Sequence, residues 1–121
     1  MSKQIIVDLI SQAEKTKKIA NLLSSGKTHV QISNLLGSSL AFHIAEIFNK
    51  VGKPFLIILN SKEEAAYFLN DAEQVLGNKN VLFYPESYSR PYQTEETNNA
   101  NVLLRAEVLN RINSQKKPSL I

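Results

Sequence analysis

Between Lys53-Pro54 and Asn60-Ser61 lies an uninterrupted apolar run, Phe55-Leu56-Ile57-Ile58-Leu59. A strand with one wet face alternates apolar and polar residues, whereas a continuous run bounded by breakers suits a strand covered on both faces. That reading predicts a central strand of a parallel sheet. The flanking sequence agrees. Ser61 followed by Glu64 forms a capping box, and the helix it opens is expected to run to Leu76 and stop at Gly77. Val81-Leu82-Phe83-Tyr84 reads as another strand, and a helix from Asn98 or Asn99 to about Asn113 follows.

Upstream, residues 3–24 read as one helix carrying Ile5, Leu9, Thr16, Ala20 and Leu23 near one face. Residues 29–36 read as a strand, Gly37-Ser38-Ser39 as a turn and residues 40–51 as an amphipathic helix. On that helix Leu40, Ile44, Ile47 and Val51 share a face, with His43, Glu46, Asn49 and Lys50 on an opposite, solvated one. Ser119-Leu120-Ile121 looks like the start of a further strand, paired at most at its beginning. This alternation of strand and helix predicts an α/β fold: a three-layer parallel sheet with helices on both faces, like a degenerate P-loop NTPase, truncated at the C-terminal strand. The expected organisation is a single partial domain over residues 1–121, with 1–26 a leading helix and turn and 27–121 the α/β core.

Strand, glycine turn and helix are the setting in which a phosphate-binding loop carries GxxxxGK[ST]. Its amides cradle phosphates, its lysine neutralises them and its hydroxyl ligates magnesium. Counted back from the helix, the first glycine falls on Asn34 and the last on Ser39, beside Gly37 and Ser38; the lysine falls on Leu40 and the hydroxyl residue on Ala41. The scaffold is present without its chemistry. Gly26-Lys27-Thr28 spells the end of such a motif, but Asn21 stands where its first glycine belongs and the triplet precedes the strand. It is read as a polar turn.

Length and charge narrow the remaining classes. A chain of 121 residues has room for one domain, and a net charge of +3, with its basic residues scattered or paired with acids, does not by itself point to nucleic acid. There is no cysteine, which removes disulfides and thiol chemistry, and the two histidines cannot make a metal site alone. No apolar run approaches the roughly 20 residues of a membrane span, so a cytoplasmic protein without a membrane partner is expected. No serine, cysteine or second acid is spaced to make a relay with His43 or His29, and no catalytic residue is assigned. A small unrelated enzyme would need polar groups at the strand ends, where only Asn60, Ser61, Lys62, Glu86 and Ser87 stand.

A candidate interaction loop follows the strand at 81–84: Tyr84, Pro85, Tyr88, Arg90 and Tyr92 combine aromatics with an arginine beyond a strand's carboxyl end. Such an edge is where partners bind in open α/β sheets; the same residues also suit a loop folded over the core with its hydroxyls wet. Arg105 projects near the middle of an apolar arc made by Val102, Leu104, Ala106, Val108, Leu109 and Ile112. A charge there must be paired or reach water. It is read as an anchor for the loop, with Glu86, Glu95 and Glu96 as the carboxylates within reach.

Taken in order, Leu35-Leu36-Gly37-Ser38-Ser39-Leu40-Ala41, Phe83-Tyr84-Pro85, Arg90-Pro91-Tyr92 and Arg105 with Leu109 resemble the N-terminal UvrB-homology region of bacterial transcription-repair coupling factors (Mfd) over residues 28–121. The resemblance implies a non-catalytic, UvrB-like scaffold module in transcription-coupled nucleotide excision repair. It implies a full-length protein that is an ATP-dependent DNA translocase, displaces stalled RNA polymerase and recruits UvrA. ATP and magnesium would then belong to a separate motor domain, with no cofactor for this module, whose direct partner would be the remainder of its own polypeptide. The alternative is a P-loop ATPase or helicase fragment that binds nucleotide or DNA directly.

Overall fold

A computed structural model describes residues 3–86, 99–114 and 117–121. The described residues contain five helices: α1 (Lys3–Gln12), α2 (Glu14–Ser24), α3 (Ser39–Val51), α4 (Lys62–Leu76) and α5 (Asn99–Ser114). Among the described residues there is no strand ladder, only two isolated parallel bridges, Phe55 with Leu120 and Val81 with Leu120. The expected three-layer parallel sheet is therefore corrected to a helical arrangement with three short extended segments. The physical reason is a shortage of pairing partners. Residues 28–36 enter no ladder; Gln31, Ser33 and Asn34 interrupt their apolar positions, and Asn34 takes a left-handed backbone (φ 65°) that ends an extended run.

Residues 119–121 lie between the other two segments and bond to both. Phe55 N donates to Ser119 O (3.1 Å), Ile121 N to Phe55 O (2.9 Å) and Ile57 N to Ile121 O (2.7 Å) on one side. Leu120 N donates to Asn80 O (2.9 Å) and Leu82 N to Leu120 O (2.7 Å) on the other. The expectation of a segment paired only at its beginning is thus replaced by a central one, with Leu120 only 1% exposed.

The core forms where α3 and α4 pack on one face of these segments. Ala45, Phe48, Ala72, Leu76, Val81 and Leu120 are buried together, with Phe55, Ile57, Phe68 and Leu69 packed against them. Phe48 and Phe55 meet edge to face at 5.6 Å and 81°, a favoured aromatic geometry. On α4 the residues turned inward, Ala65, Phe68, Leu69, Ala72, Val75 and Leu76, follow the three- and four-residue spacing of one helical face. Its start is fixed by Ser61, whose Oγ accepts from Glu64 N at 3.1 Å, while Glu64 Oε2 accepts from Asn60 N at 3.3 Å. The reciprocal bond reaches one residue further back than in the usual box.

The leading helix is two helices. Ala13 leaves helical backbone (ψ 129°), and α1 and α2 both pack on α3. A straight helix over residues 3–24 would run about 33 Å, against about 20 Å for α3, so the break lets both halves stay on it. This second layer buries α3 on more than one side. Ala41, Ala45, Ile47 and Phe48 are all covered, and so is Glu46, at 7% exposure, which corrects the expectation of a solvated face for that residue.

The run at 55–59 is not covered on both faces. Leu56 and Ile58 are 68% and 84% exposed. On α5 only Val108 is buried, while Val102, Leu103, Leu109 and Ile112 are exposed, so its apolar arc is largely bare.

Candidate functional site

Two places combine the predicted residues with definite geometry: the turn before α3 and the groove at the carboxyl ends of the extended segments.

At the first, Gly37 (φ 55°) and Ser38 form a turn that leads into α3. Ser39 N donates to Leu36 O at 3.2 Å, and Ser39 Oγ donates to the same carbonyl at 2.7 Å. A phosphate cradle needs several free amides converging on one point; here the amide and hydroxyl at the position of the last motif glycine are both turned back onto the chain. Asn34, Gly37 and Ser38 are exposed, Leu40 is half-buried and Ala41 is buried at 2% exposure. Asn34 adopts the left-handed backbone that glycine favours, and asparagine is among the residues that tolerate it. His43 Nδ1 donates to Ser39 O at 2.7 Å, one turn back on its own helix, which occupies the histidine structurally. The Gly26-Lys27-Thr28 triplet sits in an exposed bend after α2 and leads into residues 28–36, not into a helix.

At the second, a groove of about 420 Å³ opens between residues 56–62 and 81–86, floored by α4 and bordered by Asn101 and Arg105 of α5. Asn60, Ser61, Lys62 and Glu86, four of the five polar residues noted at the strand ends, line it together with Tyr84 and Pro85, and the fifth, Ser87, lies outside the described residues. Asn60, Ser61 and Glu64 are engaged in capping α4. Among the described residues no cluster of three or more His, Asp or Glu side chains could hold a metal ion.

Arg105 binds at the edge of this groove. Its Nη1 donates to Pro85 O at 3.0 Å, and its guanidinium lies 4.4 Å from the centroid of the Tyr84 ring. Among the described residues its partners are therefore a carbonyl and an aromatic face and not a carboxylate, which suits a planar, weakly hydrated cation. Arg111 adds a longer contact from α5, Nη1 to Lys79 O at 3.4 Å, and pairs with Glu107 at 2.8 Å. The asparagine, the two arginines and Val108 make up the side of α5 turned toward the molecule. Tyr88, Arg90, Tyr92, Glu95 and Glu96 lie outside the described residues. What the sequence reading missed is the groove itself, because it took residues 55–59 as covered on both faces.

Comparison with known proteins gives a consistent answer. The chain is 30% identical over 84 residues to UvrABC system protein B of Staphylococcus saprophyticus, covering 69% of this chain and 13% of that protein. It is 31% identical over 84 residues to the protein of the same name from Methanococcoides burtonii, with the same coverage. For that of Methanosarcina mazei the figures are 28% over 85 residues, 70% of this chain and 12% of the relative. The chain is homologous to part of UvrABC system protein B. It spans only about an eighth of the length of these UvrB relatives. No protein-family model matches the chain, and no solved structure matches it significantly. No helix among the described residues is long and apolar enough to cross a membrane.

Proposed function

We propose that the chain is a non-catalytic, UvrB-like scaffold module that works in nucleotide excision repair, as part of a transcription-repair coupling factor. The observation that carries the non-catalytic half is the turn before α3. Leu40 stands where the phosphate-binding lysine would be, and Ser39 closes onto Leu36 O where a cradle would leave its amide free. The repair half is supported by the identity to UvrB proteins of bacteria and archaea. Coupling to transcription is supported by the order of the motifs at residues 35–41, 83–85, 90–92 and 105–109.

On this reading the complete protein is an ATP-dependent DNA translocase whose motor and RNA polymerase contacts lie in other domains. The module's part is to hold a neighbouring UvrA-binding element, and the packed body of α1 to α4 supplies the base for that. The competing reading, a working ATPase or helicase fragment, needs a lysine at the start of α3, and the nearest candidate, Lys27, does not lead into a helix.

Strand-resolved repair separates the coupling role from a general UvrB role. In cells lacking the gene, ultraviolet lesions should persist on the transcribed strand of active genes while the other strand is repaired at the normal rate. Equal loss on both strands would identify a UvrB function instead, and normal repair of both would remove the repair assignment altogether.

A further inference from the structure

Charge is unevenly placed along the chain. Residues 1–27 hold five lysines, Lys3, Lys15, Lys17, Lys18 and Lys27, against Asp8 and Glu14, whereas residues 28–121 hold nine basic residues against nine acids. The whole net charge of +3 therefore falls on the leading helical pair and the bend after it. On α2 the packing sorts these residues by side. Thr16 and Ala20 are buried where α2 packs on α3, while Lys15, Lys17 and Lys18 are exposed, as is Lys27 in the bend. At about 3.6 residues per turn, Lys18 lies near the middle of the outer side, opposite Thr16, with Lys15 and Lys17 flanking it. Lys17 and Lys18 border a shallow hollow together with Glu14, Asn21, Leu22 and Ser25. Glu14 and Lys18 stand one turn apart without forming an ion pair, since among the described residues the one ion pair is Glu107 with Arg111. Among those residues the lysines of α2 thus have no carboxylate partner.

We propose that the outer side of α2 is a contact surface for duplex DNA, held through phosphates without reading the sequence. Lysine is a compact point charge that suits a phosphate, and the Asn21 side chain adds a neutral donor of the kind that bonds phosphate oxygens. Residues 1–27 contain no arginine, phenylalanine, tyrosine or tryptophan. That composition decides among acidic partners. Protein interfaces are depleted in lysine and anchored by aromatics and arginine, and unpaired strands are held by stacking on aromatic rings; a duplex backbone needs neither. An anionic membrane would ask α2 to insert an apolar side that is already packed on α3. The choice of DNA among phosphate backbones rests on the repair reading, and a failure to bind here would leave strand-specific repair in cells to be decided by itself.

The test is the fluorescence anisotropy of a labelled duplex of about 20 base pairs, titrated with the full chain at about 50 mM salt. Three neutralised phosphates give a slope of log affinity on log salt of about −2.7, so raising salt to about 150 mM should weaken binding about twentyfold. Replacing two of the lysines, by Lys17→Gln with Lys18→Gln, should weaken binding at least about tenfold and reduce the slope by about 2, with the helical circular dichroism unchanged. Lys50→Gln with Lys53→Gln removes the same charge from exposed positions at the end of α3 and should leave the affinity within about twofold. Glu14→Gln removes the acid beside the same hollow and should tighten binding about twofold or more. Equal losses from the two lysine pairs would mean that net charge, and not this surface, attracts the duplex. Tighter binding of a single strand of the same length, or of phosphatidylserine vesicles reached through the exposed Ile5 and Leu9 of α1, would assign the surface to another partner. Each of these results would overturn the proposal, as would an unchanged anisotropy at about 1 mM chain.

Discussion

Phe48 and Ile58 are both large and apolar, yet one is 6% exposed and the other 84%. Phe48 belongs to the side where α3 is held between α4 and the pair α1 and α2; Ile58 belongs to the opposite face of the extended segments, where α5 reaches Lys79, Tyr84 and Pro85 through Arg105 and Arg111. The difference teaches that α3 finds its packing partners in the helices beside it, while Leu56, Ile58 and the outer face of α5 stay exposed among the described residues. In the packed half, burial of methylene groups dominates stability. At the other, a few polar contacts from Arg105 and Arg111 hold α5 in place.

The contrast is broken most severely by Phe48→Ala. Truncation there removes the edge-to-face contact with Phe55 and leaves a cavity among Ala45, Ala72 and Leu120, so denaturant melts should show a loss of about 3–5 kcal/mol. A loss below about 1 kcal/mol would mean that α3 and α4 do not form the core described. Arg105→Met keeps the side-chain length and removes the bond to Pro85 O and the contact with Tyr84. Because the guanidinium is only half-buried, the expected cost is about 1–2 kcal/mol, with the native helical circular dichroism retained. An unchanged melting midpoint would show that the arginine does not secure α5.

A gain is expected at Thr16. It is wholly buried in α2 and its hydroxyl has no hydrogen-bond partner among the described residues. Thr16→Val keeps the shape and removes the unmet group, which should stabilise the chain by about 1 kcal/mol; a loss of stability would reveal a partner for the hydroxyl. The smallest effect belongs to the open half. Ile58→Ser should change the unfolding free energy by no more than about 0.5 kcal/mol, because the side chain is already largely in water. A loss comparable to that of Phe48→Ala would show that something covers this face in solution.

Local signals were legible in the sequence where a short stretch determines its own geometry. Ser61 with Glu64 and the glycine at 77 bracket α4, and the turn at Gly37-Ser38-Ser39 with the breaker Lys53-Pro54 frames α3. The break at Ala13 was not legible, since neither glycine nor proline marks it; it follows from the length of α3, a tertiary fact. Glu46 was assigned to a wet face because helical periodicity sees one buried side, and α3 has two. The largest error, the three-layer sheet, came from taking apolar runs as paired strands. Phe55 to Leu59 has the composition of a covered strand, but composition does not supply a neighbour, and among the described residues only Leu120 bridges it to Val81. At the site, the missing lysine was readable from Leu40 alone. That Ser39 turns both its amide and its hydroxyl onto Leu36 O was not, because it depends on the backbone path of Gly37 and Ser38.

The central claim is that the loop before α3 keeps the outline of a phosphate site without its function. Calorimetric titration of the chain with magnesium-ATP tests it most directly. The loss of a lysine and a magnesium-binding hydroxyl removes contacts of roughly 1.5–3 kcal/mol each, or at least about two orders of magnitude in affinity, so no heat of binding should appear at micromolar nucleotide. A dissociation constant in the low micromolar range would contradict the account.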